Sequence, residues 1–163
     1  RLGEFRMFSI GDKIFYPMHG VGVIEGIEKK TVLEEEREYY IIRIACKGMN
    51  IMVPVYSCED IGMRYISDPS TVAEVIKLLS APSTPMSANW NKRNRQNTDK
   101  LKTGDIFDCA EVVRNLMRQD RAKKLSTGEK RLLDNAKKVL ASEIMSVNGI
   151  SMKAALKIID ESV

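Results

Sequence analysis

A tryptophan in the middle of the chain lies among side chains that are suited to binding nucleic acids. Trp90 is followed by Lys92, Arg93 and Arg95, and the surrounding segment has almost no other apolar residue. Ammonium and guanidinium groups bind phosphates, and an indole ring can stack on a base or wedge between two base steps. The alternative is that Trp90 anchors this polar segment on its neighbours, because tryptophan side chains are usually well buried.

Further Lys and Arg residues are concentrated in the second half of the chain. Residues 67–163 carry seventeen Lys and Arg against twelve Asp and Glu, whereas residues 1–66 carry nine against ten. This asymmetry indicates two modules with different partners. One run of cations is usually a solvated helix face, but three runs in one small module favour a shared phosphate-facing surface. The three runs are Lys92, Arg93, Arg95, Lys100 and Lys102, then Arg114, Arg118, Arg121, Lys123 and Lys124, then Lys130, Arg131, Lys137 and Lys138.

Catalytic and metal-binding chemistry has few suitable residues in this sequence. The single histidine, His19, has no partner residues arranged around it, and we expect it to order a turn. Cys46, Cys58 and Cys109 are odd in number and widely spaced, which is typical of reduced thiols rather than of a disulfide framework or a zinc site. We therefore expect a protein that is not an enzyme, with no catalytic residue, no metal and no cofactor.

The composition is that of a globular protein rather than of a disordered chain. The chain has 163 residues, of which 44% are hydrophobic and 29% are charged, enough for one ordinary domain or two small ones. No apolar run is long enough to cross a membrane, and no apolar leader begins the sequence, so we expect a cytoplasmic protein. Residues 1–6 resemble an expression scar and are left out of the functional argument.

The first module is predicted to consist of β-strands. Apolar residues alternate with others in several short segments, the last of which carries Ile51, Val53 and Val55. We expect a turn at residues 17–20, a hairpin tip at the three glutamates 34–36, and the outermost strand at residues 50–53. Four or five short strands within about 50 residues predict a small twisted β barrel.

The second module is predicted to be helical throughout, because its apolar residues recur at helical spacing. The segment Ser126-Thr-Gly-Glu129 is typical of a capping box that begins a long helix. The predicted helices are residues 68–79, 88–100, 105–123, 126–147 and 151–161. The expected fold class is therefore α+β, with a β barrel over residues 7–66 and a bundle of about five helices over residues 67–163.

Four segments together resemble the CarD/CdnL family of bacterial transcription regulators. In chain order they are Ile10-Gly-Asp-Lys-Ile-Phe-Tyr-Pro-Met-His-Gly-Val-Gly-Val-Ile, Val53-Pro-Val, Asn89-Trp-Asn-Lys-Arg and Leu125-Ser-Thr-Gly-Glu-Lys-Arg-Leu-Leu. The resemblance covers essentially all of residues 7–163. The first segment alone is also similar to the polymerase-binding module of transcription-repair coupling factors, and the tryptophan segment and the helical half make the CarD-like resemblance specific.

For the first module, the resemblance implies a Tudor-like domain that binds the lobe of the RNA polymerase β subunit. In the family this contact extends a sheet across the interface, which is a form of strand addition. Lys30 falls where some members carry a basic polymerase contact. Met52 departs from members that carry Arg at its position, so the polar part of the contact differs here. The residues expected to contact polymerase are Lys30, Asn50, Ile51, Met52 and Val53.

For the second module, the resemblance implies a contact with promoter DNA at the upstream edge of the melted bubble. Trp90 matches the family's minor-groove wedge, and Lys92, Arg95 and Lys130 fall where the family places backbone-binding cations; we add the neighbouring Arg93 to this set. The expected function is a transcription regulator that stabilises the promoter open complex with little sequence specificity.

Two alternatives remain open at this stage. The protein could be an adaptor that binds RNA polymerase through protein contacts alone, without touching DNA. We expect a monomer located at the bacterial nucleoid in the cytoplasm, and a dimer formed by strand exchange through an exposed sheet edge is the other assembly that the sequence allows.

Overall fold

A computed structural model of the chain describes residues 5–163. The first four residues of the predicted expression scar lie outside this range, whereas Arg6 within it forms an ion pair with Glu38. The chain folds into an N-terminal β-sheet followed by a bundle of helices, which confirms the expected α+β class. Among residues 5–163, no helix has the length and apolar character that spanning a bilayer requires.

Five antiparallel strands form the sheet, in the spatial order β4-β3-β2-β1-β5. They are β1 (Lys13–Tyr16), β2 (Gly20–Val32), β3 (Glu35–Ile44), β4 (Met49–Pro54) and β5 (Arg64–Tyr65). With 13 and 10 residues, β2 and β3 are longer than the short strands expected from the sequence. β4 forms one edge of the sheet, as predicted for residues 50–53, and β5 forms the other.

Close packing between β2 and β3 depends on a glycine. A Cβ atom at Gly22 would lie 2.6 Å from Cγ2 of Ile42, so a larger residue would displace the core. The register between the two strands shifts between Ile24 and Gly26, and this bulge bends β2 over the core. The buried side chains of the sheet include Ile14, Ile24, Tyr40, Ile42 and Ile44.

The tip of the β2–β3 hairpin lies one residue before the predicted position. Val32 pairs with Glu35, which leaves Leu33 and Glu34 as a two-residue turn, while Glu35 and Glu36 belong to β3. Leu33 and Glu34 have φ angles of 51° and 66°. Positive φ at both central residues is the geometry that two-residue hairpin turns prefer. The turn is therefore set by strand register and not by the centre of the charged run, so the prediction of a tip at 34–36 is wrong.

The five predicted helices are all present, and a short unpredicted helix precedes them. The helices are α1 (Cys58–Ile61), α2 (Pro69–Ser80), α3 (Trp90–Lys102), α4 (Ile106–Ala122), α5 (Thr127–Asn148) and α6 (Met152–Ser162). Each of the last five begins after a polar residue whose side chain accepts a backbone N–H from the first turn. These N-caps are Asp68, Asn89, Asp105, Ser126 and Ser151.

The helical bundle packs on the sheet mainly through α5. The backbone N–H of Val21 donates to Oγ of Ser142 at 3.1 Å, and Nδ2 of Asn135 donates to the carbonyl oxygen of Met18 at 3.1 Å. Phe15 on β1 is buried in the apolar cluster of the helices. The turn at residues 17–20 is therefore part of the joint between the two modules.

Candidate nucleic-acid interface

Trp90 is the first residue of α3, and its side chain is largely exposed. Asn89 caps the helix, because its Oδ1 accepts the backbone N–H of Lys92 at 3.0 Å. The exposed fraction of Trp90 is 53%. A tryptophan that anchored the helix on a core would be nearly covered, whereas about half of Trp90 remains accessible to a partner.

A groove of about 820 Å³ opens beside the indole. Its walls come from the segment before α3, the end of α4 and the beginning of α5, and Lys123 and Lys124 contribute to its lining. Both lysines are exposed. The indole therefore lies at the margin of a depression that also carries positive charge.

Three of the predicted phosphate-binding cations are available on the surface around Trp90. Lys92 and Arg95 are exposed on the first turns of α3, and Lys130 is half-buried on the first turn of α5. Within residues 5–163, none of these three side chains forms an ion pair. Their charges are therefore free to meet phosphates.

Arg93, the fourth predicted cation, points into the protein instead. Its Nε and Nη2 donate to the two carboxylate oxygens of Glu129 at 2.7 and 2.8 Å, and its Nη1 donates to the carbonyl oxygen of Ser87 at 3.1 Å. The side chain of Arg93 is 12% exposed and that of Glu129 is 1% exposed. The hydrogen bonds that Arg93 donates to Glu129 raise the pKa of Arg93 above its ordinary value, so the guanidinium stays charged.

The capping box predicted at the beginning of α5 is half formed. Oγ of Ser126 accepts the backbone N–H of Glu129 at 3.3 Å, as expected. The Glu129 carboxylate binds Arg93 rather than the backbone N–H of Ser126, so the pattern predicts the helix start but not the partner of the glutamate.

The three arginines of the second run of cations bind backbone carbonyl groups of neighbouring helices and of the segments that follow them. Arg114 is almost completely buried, and its Nη1 donates to the carbonyl oxygen of Leu78 at 3.0 Å. Arg118 donates to the carbonyl oxygen of Ala81 at 2.6 Å, just after the end of α2, and Arg121 donates to that of Val163 at 2.9 Å. The prediction that all three runs share one phosphate-facing surface is therefore wrong for Arg114, because α4 turns its arginines toward α2 and α6.

A second exposed feature is the outer edge of β4. Asn50 and Met52 are exposed, Ile51 is half-buried and Val53 is buried, which is the alternation of a strand with one face on a core. Within residues 5–163 this strand pairs only with β3, so its other edge is open. Tyr56 follows the strand and is exposed, and the centre of its ring lies 5.0 Å from Cζ of Arg37. No pattern in the sequence singles out Tyr56.

Lys30 does not lie next to the β4 edge. It pairs in register with Arg37 in the outer half of the β2–β3 hairpin, whereas β4 ends opposite Tyr39. A partner that contacts both features must therefore cover the hairpin as well as the edge strand.

The histidine and cysteines form no reactive cluster. His19 contacts the ring of Tyr16 edge-on, with 4.7 Å between centroids, and burial lowers its pKa. Burial raises the pKa of the Cys58 thiol to about 11 and that of Cys109 to about 12, so both are protonated at neutral pH. Among residues 5–163, no group of three or more His, Cys, Asp or Glu side chains could hold a metal ion.

The sequence matches two family models that follow one another along the chain. The CarD-like/TRCF RID domain matches residues 8–67, and the CarD C-terminal domain matches residues 74–160. The chain is also 42% identical over 147 residues to a putative transcription factor, YdeB, of Bacillus subtilis (strain 168). That similarity covers 90% of this chain and 96% of the relative.

Proposed function

The chain belongs to the CarD-like family of transcription factors, and we propose that it binds RNA polymerase and stabilises the promoter open complex. Residues 7–66 contact the lobe of the polymerase β subunit, and residues 67–163 contact DNA at the upstream edge of the melted bubble. The protein acts as a monomer at the nucleoid in the bacterial cytoplasm. The observation that carries the proposal is the half-exposed indole of Trp90, followed on the same helix by Lys92 and Arg95, two exposed cations that form no ion pair within residues 5–163.

The polymerase contact forms by strand addition at β4. An open strand edge offers backbone N–H and C=O groups to an extended partner segment, and the alternating side chains provide selectivity. Asn50, Ile51, Met52 and Val53 supply this edge. Lys30 adds a charged contact from the hairpin.

The DNA contact combines a wedge with phosphate binding. The Trp90 ring enters the minor groove where base steps are already opened, and Lys92, Arg95 and Lys130 bind the flanking phosphates. None of these contacts reads the edge of a base, so sequence specificity is low and depends on how easily the DNA is distorted.

The two contacts act together because the modules are joined. Binding at β4 holds the helical module near the promoter, which raises its effective concentration there. A protein shifts the opening equilibrium only if it binds opened DNA better than closed duplex. A ring that fills an unstacked step has this preference, and it slows collapse of the bubble. A longer-lived bubble aids initiation where opening is limiting and hinders it where promoter escape is limiting.

The test replaces Trp90 in the full-length chain and measures the lifetime of promoter open complexes. A ring contact with unstacked DNA contributes roughly 1–3 kcal/mol. Trp90→Ala should therefore shorten the lifetime by about five- to hundredfold, and Trp90→Phe should keep part of the effect. Polymerase affinity should not change. The melting temperature should change by no more than a few degrees, because about half of Trp90 is exposed.

A matched control is Ile10→Ala, which removes another exposed apolar side chain and should leave the lifetime unchanged. If Trp90→Ala also leaves it unchanged while polymerase binding persists, the protein is an adaptor without a DNA wedge.

A further inference from the structure

Packing covers only about half of Trp90. The indole is half exposed, and the buried residues of α3, Asn97 and Leu101, lie in the second half of the helix. The first turn of α3 follows an irregular segment that contains Pro82 and Pro85. Some other contact must therefore hold this turn in place.

Arg93 provides that contact. It lies three residues after Trp90, so the two side chains belong to adjacent positions on successive turns of α3. Its guanidinium joins three elements, because it binds Glu129 on α5 through two hydrogen bonds and the carbonyl oxygen of Ser87 through a third. Two parallel hydrogen bonds between a guanidinium and a carboxylate fix orientation as well as distance.

We propose that Arg93 and Glu129 form a positioning pair that holds the Trp90 wedge in a fixed geometry relative to Lys130. Glu129 is the neighbour of Lys130 in the chain, so the pair links the helix that carries the wedge to the helix that carries a phosphate-binding cation. When Trp90 and Lys130 are already ordered before binding, the free energy of DNA binding does not have to offset the entropy cost of ordering them. This inference rests on the proposed function. It adds that the Arg93–Glu129 pair keeps the two DNA contacts, Trp90 and Lys130, in a fixed relative position.

The same geometry separates Arg93 from the cations that meet DNA. Three of its nitrogens already donate to acceptors within the protein, and the side chain is 12% exposed. A phosphate contact by Arg93 would require it to leave the buried Glu129 carboxylate without its counter-charge, which is costly. Arg93 therefore acts through Trp90 and not on DNA directly.

The first arm of the experiment uses fluorescence of the full-length chain without polymerase or DNA. Trp90 is the only tryptophan, so fluorescence excited at the long-wavelength edge of tryptophan absorption, where the five tyrosines absorb little, reports on this residue alone. Arg93→Lys keeps the charge but loses the paired hydrogen bonds, and we expect faster acrylamide quenching and lower anisotropy. Arg95→Lys is the matched control, because Arg95 is exposed and has no ion pair within residues 5–163, and it should leave both signals unchanged. Identical signals for Arg93→Lys and the wild type would overturn the proposal.

The second arm measures open-complex lifetime in single and double variants. Arg93→Lys should shorten the lifetime roughly two- to tenfold when Trp90 is present and should have no further effect in the Trp90→Ala background. Arg95→Gln, which removes an independent phosphate contact, should shorten it by the same factor in both backgrounds. A loss from Arg93→Lys that persists in the Trp90→Ala background would show that Arg93 acts on its own and would overturn the proposal.

A charge exchange distinguishes loss of the ion pair from loss of folding. Combining Arg93→Glu with Glu129→Arg should restore quenching and lifetime toward the wild-type values, whereas either substitution alone should not. Failure of the exchange to recover either signal, with circular dichroism showing intact helices, counts against a pair. If Trp90→Ala itself has no effect on lifetime, the proposed function fails, while the quenching arm still decides whether Arg93 positions the indole.

Discussion

Arg64 on β5 and Glu143 on α5 form an ion pair at the joint between the sheet and the helical bundle. Nη1 and Nη2 of Arg64 donate to the two carboxylate oxygens of Glu143, each at 2.8 Å. The Glu143 side chain is completely buried and also accepts the backbone N–H of Ser67 at 2.8 Å. The guanidinium lies 4.3 Å over the ring of Phe15 and donates to the carbonyl oxygen of Gly104 at 2.8 Å. The two side chains together connect the sheet, the segment after β5 and two parts of the bundle.

Breaking this pair should destabilise the whole chain. Glu143→Gln removes the buried carboxylate that pairs with the partly exposed Arg64, and we expect the free energy of unfolding to fall by about 3 kcal/mol. Urea denaturation followed by circular dichroism measures the change. Lys157→Gln serves as the control, because it removes an exposed pair with Glu161 and should have no measurable effect. Equal stability of the two variants would show that Glu143 does not hold the joint.

Proline substitutions in β4 should separate strand addition from side-chain contacts. Neighbouring residues of an edge strand direct their N–H groups alternately to the inner strand and outward. Ile51→Pro and Met52→Pro each remove one of these N–H groups. The variant that loses the N–H directed to β3 should destabilise the sheet. The other should remain folded and lose polymerase affinity.

The matched control for that test is Met52→Ala, which changes the side chain and keeps the backbone donor. It should retain most of the affinity if the partner pairs with the backbone. Full affinity in a folded proline variant that lacks the outward N–H would argue against strand addition at this edge.

The helix beginnings were predictable because their signals are local. Asp68 and Ser126 are short polar residues that accept N–H groups of the following turn, and the positions that they indicate agree with the structure. The helix predicted to begin at residue 88 begins two residues later, after the Asn89 cap. The tip at Leu33 and Glu34 was not predictable from the charged run, since strand register decides it and register depends on residues far away in the chain.

The ion-pair partners of Arg93 and Arg64 were harder to predict, although the positions of two glutamates on α5 gave an indication. Glu129 and Glu143 follow the same helical phase as Leu133, Ala136 and Leu140, so both carboxylates lie on the buried stripe of α5. A carboxylate on such a stripe requires a cation or hydrogen-bond donors that compensate for its burial. The sequence does not reveal which cation, and the structure identifies Arg93 and Arg64.

The hairpin turn offers a test of backbone strain. Leu33 and Glu34 both adopt positive φ, which residues with a Cβ atom rarely do, and Leu33 is 93% exposed. Replacing the pair by Asn-Gly should raise the free energy of unfolding by about 1 kcal/mol, because these residues accept positive φ with less strain. Thermal unfolding measures the gain. A decrease in stability would mean that the Leu33 side chain makes a contact that outweighs the strain.

The salt dependence of DNA binding should distinguish phosphate contacts from positioning residues. When a protein neutralises phosphates, the logarithm of the binding constant falls linearly with the logarithm of salt concentration. Lys92→Gln, Arg95→Gln and Lys130→Gln should each reduce the steepness of this line by about 0.7 to 0.9, because each removes one phosphate contact. The measurement is binding of the protein–polymerase complex to forked promoter DNA over a range of salt concentrations.

Two further variants complete the salt experiment. Lys153→Gln removes an exposed charge on α6, outside the proposed interface, and should leave the slope unchanged. Arg93→Lys should weaken binding at every salt concentration with the slope preserved, because the Arg93 guanidinium is engaged by Glu129 and Ser87. A lower slope for this variant would place Arg93 among the phosphate contacts. An unchanged slope for all three surface cations would mean that the helical module binds its target without neutralising DNA, as a protein-only adaptor would.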